Sequence, residues 1–271
     1  TKFGGTSVSS RETWEHIAAI TRKHLATGVQ PVIVCSALSQ ASNKLERMVA
    51  AAVLDEHQDL QTDLTHHYLQ LADALGVSSD LITLDLQQLQ QWLTGIALLK
   101  EAPAKTHAQI LSLGELMMTR LGHAFLNNKG IHCSWFDARE ALQSVSTLHG
   151  GADDYLAARC NSEPNPDLAR QLISCGADVI ITQGFIAANT HGDTVLLGRG
   201  GSDTSAALLA AILDADVCEI WTDVPGIYTA NPHQLPHARL LKQLNYDEAQ
   251  EIASMGAKVL HPNCIPPVRR A

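Results

Sequence analysis

Aromatic residues are scarce in this 271-residue chain, with only four each of Phe, Trp and Tyr. So small a set is needed for packing, and Trp221 and Tyr228 are first read as core aromatics. Positive charge is scarce too: 19 Lys and Arg stand against 28 Asp and Glu, a formal net charge of −9. That balance excludes a general nucleic-acid binder, which needs a basic footprint for the phosphates. Any anionic ligand must instead find a local cluster of cations that overrides the global field. No C-x-x-C pair occurs among the six cysteines (Cys35, Cys133, Cys160, Cys175, Cys218 and Cys264), so neither a disulfide framework nor a zinc site is indicated. They read as small buried hydrophobes of a protein in the reducing cytoplasm. The 13 histidines follow no H-E-x-x-H pattern, and the His66-His67 pair sits on a polar helix as solvated surface. No apolar run spans a membrane, since Thr204 to Leu213, between Asp203 and Asp214, falls well short of about 17 to 25 residues. No signal peptide is visible. The first residue, Thr1, already lies beside a motif, so a trimmed N-terminus is expected.

A hydrophobic content of 45% excludes disorder. The length is compatible with two domains or one large α/β unit. Helical and strand-like segments alternate, which predicts a mostly parallel sheet covered on both faces. Thr13 to Leu25 places Trp14, Ile17, Ala18 and Leu25 at helical spacing before Gly28, and Pro31 to Cys35 follows as a short apolar strand. Residues from about Asn43 to Lys100 read as all helix, punctuated at Gly76 to Ser79. Another helix covers about His107 to Asn128, with Ile110, Leu113, Met117, Leu121 and Ala124 on one stripe. Ile131 to Phe136 is strand-like, and Asp178 to Thr182 and Thr194 to Leu197 read as central strands. A helix at Thr204 to Leu213, a strand at Val217 to Thr222 and a turn at Val224-Pro225-Gly226 complete a second half. The expected whole is one domain with two lobes and a long helical insertion in the first.

Two glycine clusters carry the chemistry. Lys2-Phe3-Gly4-Gly5-Thr6-Ser7 ends a strand, and paired glycines let bare amides approach an anion while Lys2 adds charge. The alternative is an ordinary turn that needs positive φ. Gly198-Arg199-Gly200-Gly201-Ser202-Asp203 joins a strand to a helix, so exposed amides and the helix dipole make an anion cradle. Arg199 adds a fork suited to carboxylate or phosphate. The alternative here is that Ser202 or Asp203 simply caps the helix. No Walker A loop, G-x-G-x-x-G turn or protein-kinase catalytic loop is present. Two such loops on one acidic chain indicate two anionic ligands brought together. A like-charge pair at about 4 Å costs roughly 4 kcal/mol at an effective dielectric near 20, so Lys2, Arg199 and Lys258 would matter for transfer between them.

Lys2 to Val8 resembles the opening signature of aspartokinases in the amino-acid kinase family. The resemblance continues in unbroken order through Ser36-Ala37, Gly114-Glu115-Leu116, Gln183-Gly184-Phe185, Gly198 to Asp203, Trp221 to Tyr228 and Gly256 to Pro262. It implies a three-layer α/β/α sandwich of one catalytic domain, residues 1–271, with aspartate in an N-terminal lobe of about 1–190 and nucleotide in a C-terminal lobe of about 191–271. The implied reaction is ATP-dependent phosphorylation of the L-aspartate side chain to 4-phospho-L-aspartate, the first step towards lysine, threonine and methionine. Carried over by motif, Arg199 forks the substrate α-carboxylate and Glu115 accepts its ammonium. Ser36, Ser42 and Ser202 supply hydroxyls, Ser42 standing where the family more often has Thr. Lys2, with the amides of Gly4 and Gly5, holds the transferring phosphoryl group, and Asp203 orients that lysine. Thr222, Asp223, Tyr228 and Lys258 match nucleotide-binding positions, with Mg²⁺ travelling on the ATP phosphates.

Two departures stand out. Asn231-Pro232-His233 replaces the usual Asp-Pro-Arg, whose arginine meets the nucleotide, and the paired regulatory domains of many aspartokinases are not in this sequence. The stretch His67 to Leu71 is similar to kinase halves fused to diaminopimelate decarboxylase. A homo-oligomer or a larger fused polypeptide is therefore expected, with no nucleic-acid or membrane partner. Two other readings remain open: a family member acting on glutamate, acetylglutamate or a nucleoside monophosphate, and a non-catalytic nucleotide-binding or assembly module.

Overall fold

Short apolar runs flanked by glycine loops become the strands of one sheet, and amphipathic stretches cover it. A computed structural model describes residues 1–145, 151–232, 234–256 and 259–270. The chain runs through β1 (Lys2–Phe3), α1 (Arg11–Ala26), β2 (Val32–Cys35), α2 (Ala41–Val53), α3 (Gln58–Leu75), α4 (Thr83–Leu99) and α5 (Ala104–Asn128). It continues with β3 (Cys133–Trp135), α6 (Ala138–Ala141), α7 (Ala152–Leu156), α8 (Pro166–Ser174), β4 (Val179–Gln183), β5 (Ile186–Ala188) and β6 (Thr194–Leu196). The last elements are α9 (Gly201–Ile212), β7 (Ile220–Trp221), α10 (Tyr246–Ser254) and α11 (Ile265–Arg270).

The central sheet has the order β3-β4-β2-β1-β7, and every pairing in it is parallel. Parallel pairing needs a crossover between successive strands, so helices end up on both faces. A three-layer α/β fold results. β2 and β4 are buried along almost their whole length, which explains their continuous Val and Ile runs. Some helices begin where side chains satisfy free amides: Ser10 and Thr13 form a capping box on α1, and Asn245 with Glu248 does the same on α10.

Three expectations need correction. Thr194 to Leu197 does not join the central sheet; β6 pairs antiparallel with β5 in a separate two-stranded sheet. Both strands are buried throughout, and such runs look alike in sequence whichever sheet they join. The helical insertion also breaks where none was expected, because Asp55 adopts φ +63° between α2 and α3. The strand Val217 to Thr222 shrinks to Ile220–Trp221, which pairs with β1 on one side and leaves Trp221 half exposed at the sheet edge.

Candidate active site

The carboxyl ends of β1 and β2 deliver their loops to one cavity of about 850 Å³, the place where open parallel sheets bind ligands. Ser36, Ser42, Glu115, Arg199, Ser202 and Asp203 all line it together with Lys2. Lys2, at the start of β1, reaches Asp203 in the first turn of α9, Nζ to Oδ1 at 2.7 Å, with both side chains largely buried. The Lys2 ammonium lies over Gly4, where a Cβ would stand 3.3 Å away. Gly5 is equally constrained, since a Cβ there would meet the Ala37 carbonyl oxygen at 3.0 Å. Neither glycine has positive φ, so close approach rather than turn geometry requires them.

The glycine loop before α9 is not capped by Ser202 or Asp203. Gly200, in the left-handed region at φ +67°, is the N-cap, and no side chain caps the helix. Ser202 and Asp203 lie inside the first turn, and their amides are left for an acceptor, while the Gly201 amide is taken by the Gly198 carbonyl at 3.0 Å. His261 packs against Gly200 so closely that a Cβ would fall 2.1 Å from its ring. The second helix beside the cavity, α2, starts at Gln40, also left-handed and also without a side-chain cap. Two helix N-termini thus stand at one cavity, each offering partial positive charge. Arg199 is exposed there and makes no hydrogen bond or ion pair among the described residues.

Glu115 is the counterweight. It sits in the middle of α5, 2% exposed, and its Oε1 accepts a 3.2 Å hydrogen bond from the Ala37 amide. Its Oε2 is buried and has no partner. Burial pushes its carboxyl up to about 8, only partly offset by the Ala37 amide. A buried acceptor left unsatisfied is costly, so this carboxylate is set for a cationic donor entering from the cavity.

The model of the amino acid kinase family matches residues 1–271. The chain belongs to that family. Its curated relatives include the bifunctional aspartokinase/homoserine dehydrogenase of Buchnera aphidicola, 35% identical over 98% of this chain. Lysine-sensitive aspartokinase 3 of Escherichia coli is 33% identical over 100% of it. The chain spans 33% and 59% of the length of those two proteins. Among solved structures, E. coli aspartokinase III in complex with aspartate and ADP superposes with a TM-score of 0.86 at 31% identity. That alignment covers 99% of this chain and 59% of the solved one.

Within this amino acid kinase, the expected nucleotide residues are spread more widely than the acceptor residues. Asp223 borders the main cavity, and its carboxylate accepts from the Thr222 hydroxyl at 3.2 Å. Thr222 itself faces a smaller cavity of about 380 Å³ beside Phe3 and Trp221, whose rings stack at 6.2 Å. Tyr228 is half-buried and pairs through its backbone with Leu240. Lys258 and His233 lie outside the described residues. The sequence reading missed one pair on the cavity wall, Glu46 of α2 and His107 of α5, joined at 2.9 Å. Its signal was available: His107, Leu111 and Glu115 recur at helical spacing along one face of α5 and all line the cavity. The six cysteines are free thiols, and burial raises Cys133, Cys160 and Cys264 to about 12, so none of those three is a poised nucleophile. No helix among the described residues is long and apolar enough to cross a membrane.

Proposed function

We propose that this chain is the catalytic domain of an aspartate kinase, which transfers the γ-phosphoryl group of MgATP to the side-chain carboxylate of L-aspartate. The observation that carries the reading is the buried, half-satisfied Glu115 carboxylate sharing a cavity with Arg199 and the Lys2–Asp203 pair. An α-amino acid presents both an ammonium and a carboxylate, and Glu115 and Arg199 answer the two. N-acetylglutamate and nucleoside monophosphates bring no ammonium to Glu115, so they fit less well. Glutamate, one methylene longer, is the second reading, because both head-group contacts survive in it. The Buchnera and E. coli relatives and the solved complex with aspartate and ADP support aspartate as the acceptor.

The acceptor carboxylate is already ionised at neutral pH, so the transfer needs no general base. One carboxylate oxygen forms the new bond to the γ-phosphorus as the bond from that phosphorus to the bridging β,γ-oxygen breaks, and ADP leaves. The protein's work is then positioning and neutralisation of negative charge. Lys2 supplies a cation at the glycine pair, and Asp203 fixes where that ammonium points. The remaining first-turn amides, Ser202 and Asp203 of α9 and Ser42 and Asn43 of α2, add donors for the two anions. Among the described residues no three His, Cys, Asp or Glu side chains converge as metal ligands. Mg²⁺ would travel on the ATP phosphates, where it would offset their charge. Acceptor against the lobe of residues 1–190, with Arg199 and Ser202 reaching it from the glycine loop before α9, nucleotide against 191–271, a cytoplasmic setting and an assembled or fused protein belong to the same reading. A coupled ADP-release assay with L-aspartate, L-glutamate, N-acetyl-L-glutamate and UMP tests it. Turnover of L-aspartate well above the other three is expected, and preference for another acceptor would overturn it.

A further inference from the structure

Phe185 has a backbone conformation that its side chain disfavours. It sits at φ +71° between β4 and β5, in the left-handed region where a bulky residue is an outlier. The Ile186 amide donates to the Gly184 carbonyl at 2.8 Å, closing a three-residue turn with Phe185 at its centre. With positive φ at the centre, this is the rare and strained form of that turn. Such strain persists only where the surroundings hold it. Two hydrogen bonds do so, one at each end of the glycine loop before α9. At the entry, the Phe185 carbonyl accepts from the Leu197 amide at 2.9 Å. At the exit, the Phe185 amide donates to the Ser205 hydroxyl, on α9, at 2.8 Å. Gly184 and Gly201 permit the approach: a Cβ on Gly184 would stand 2.6 Å from the Ser202 Cβ, and one on Gly201 2.6 Å from the Phe185 ring. Phe185, Arg199 and Ser202 line the cavity, whereas Ser205 is wholly buried and does not.

We propose that Ser205 is a positioning residue for the acceptor site, its hydroxyl stapling the strained Phe185 turn across the glycine loop so that Arg199 and Ser202 are held at the cavity. The effect on turnover rests on the aspartate reading above; the staple itself does not. Packing does not demand the hydroxyl. The other buried positions of α9 are Gly, Ala, Leu and Ile, and alanine would be the better helix former at this one. What the hydroxyl adds is an acceptor aimed at one amide from another part of the chain. Without it the Phe185 amide loses its partner, and the turn is free to relax towards negative φ, taking the Leu197 end of the loop with it.

The test compares Ser205→Ala with Leu209→Val, a buried apolar position one turn later on α9. Thermal denaturation confirms that both fold and gauges their loss of stability. Ser205→Ala is expected to raise the KM for L-aspartate by about three- to tenfold, the cost of one hydrogen bond. Its kcat and its KM for MgATP stay within about twofold, because the Lys2–Asp203 pair is held independently of the turn. In the substrate-free protein the Phe185 amide, protected in the wild type, exchanges with solvent faster in Ser205→Ala and unchanged in Leu209→Val. An unprotected Phe185 amide in the wild type would overturn the staple whatever the variants do. A freed amide with an unaltered aspartate KM would overturn the positioning role and leave Ser205 a structural residue. So would a Leu209→Val variant that shifts the aspartate KM as far as Ser205→Ala does. If Ser205→Ala frees the Phe185 amide but the wild type ignores aspartate, the staple stands and the choice of acceptor falls.

Discussion

Glu115 is where residue-level chemistry is most exposed to test. Its carboxyl is raised from an ordinary 4.5 to about 8 by burial, so the acid form predominates in the empty site at neutral pH. An ammonium ligand binds the carboxylate form and must displace that proton. Aspartate affinity should therefore rise with pH up to about 8, approaching tenfold per unit below it, with proton release visible by calorimetry in buffers of different ionisation enthalpy. The sign for stability is opposite. A group protonated more tightly when folded favours the folded state at low pH, and that contribution disappears as pH rises from about 4.5 through about 8. Glu115→Gln should then match the wild type in melting temperature near pH 5 and exceed it increasingly towards about pH 8.5. In the same variant the preference for aspartate over succinate, which has no ammonium, should narrow. A gap in melting temperature that does not change with pH would sink the buried-acid assignment. Lys2 and Arg199 should fail differently. Lys2→Ala depresses kcat, because its charge acts on the transferring group, whereas Arg199→Lys keeps charge, loses the fork and raises the aspartate KM most. A kcat within about threefold of wild type in Lys2→Ala would remove that residue from the transfer step.

At the scale of elements, the glycine loop before α9 separates two reasons for using glycine. Gly28 and Gly200 both have positive φ, at +78° and +67°, but only Gly200 has a neighbour inside the space of a Cβ. Gly28→Ala should cost about 1–2 kcal/mol from the left-handed backbone alone and leave activity intact. Gly200→Ala adds a clash with His261, so the loop must shift, and kcat/KM should fall at least about tenfold. Urea unfolding and steady-state kinetics on the two variants check both parts, and an active Gly200→Ala would show that the loop tolerates displacement. The same loop shows what sequence makes legible. Strand, glycines, Arg199 and an apolar helix are local patterns, and the loop and uncapped helix start they announce are there. Glu115 shows the limit: on an amphipathic helix it reads as solvated, and only its motif raised it, because burial is set by Ala37 and Tyr68 arriving from other segments. The sheet partner of β6 was hidden for a similar reason, since apolar runs encode burial and not neighbours. α8 and α10 gave no expectation either. Both are short, nine-residue helices with most positions exposed, so a narrow apolar stripe is all that marks them.

Across the whole molecule, the Lys2–Asp203 pair joins opposite ends of the fold's chain order. β1 lies between β2 and β7, and α9 packs against it, so folding must bring the first strand and the ninth helix together before the pair exists. With side-chain exposures of 12% and 16%, both groups have surrendered most of their hydration. Removing one partner strands the other charge in that setting, whereas removing both eliminates the problem. In a chain of net charge −9 a stranded Asp203 also meets an unfavourable background, while a stranded Lys2 is partly answered by it. Lys2→Met should accordingly destabilise more than Asp203→Asn. The double variant should recover part of the loss, with a coupling of about 1–3 kcal/mol in a urea-unfolding cycle. All three should be catalytically crippled, because stability recovered by removing both charges restores neither the cation at the glycine pair nor its orientation. An additive cycle would mean that the two groups are neighbours by geometry only. Asp203 would then need another task than holding the lysine.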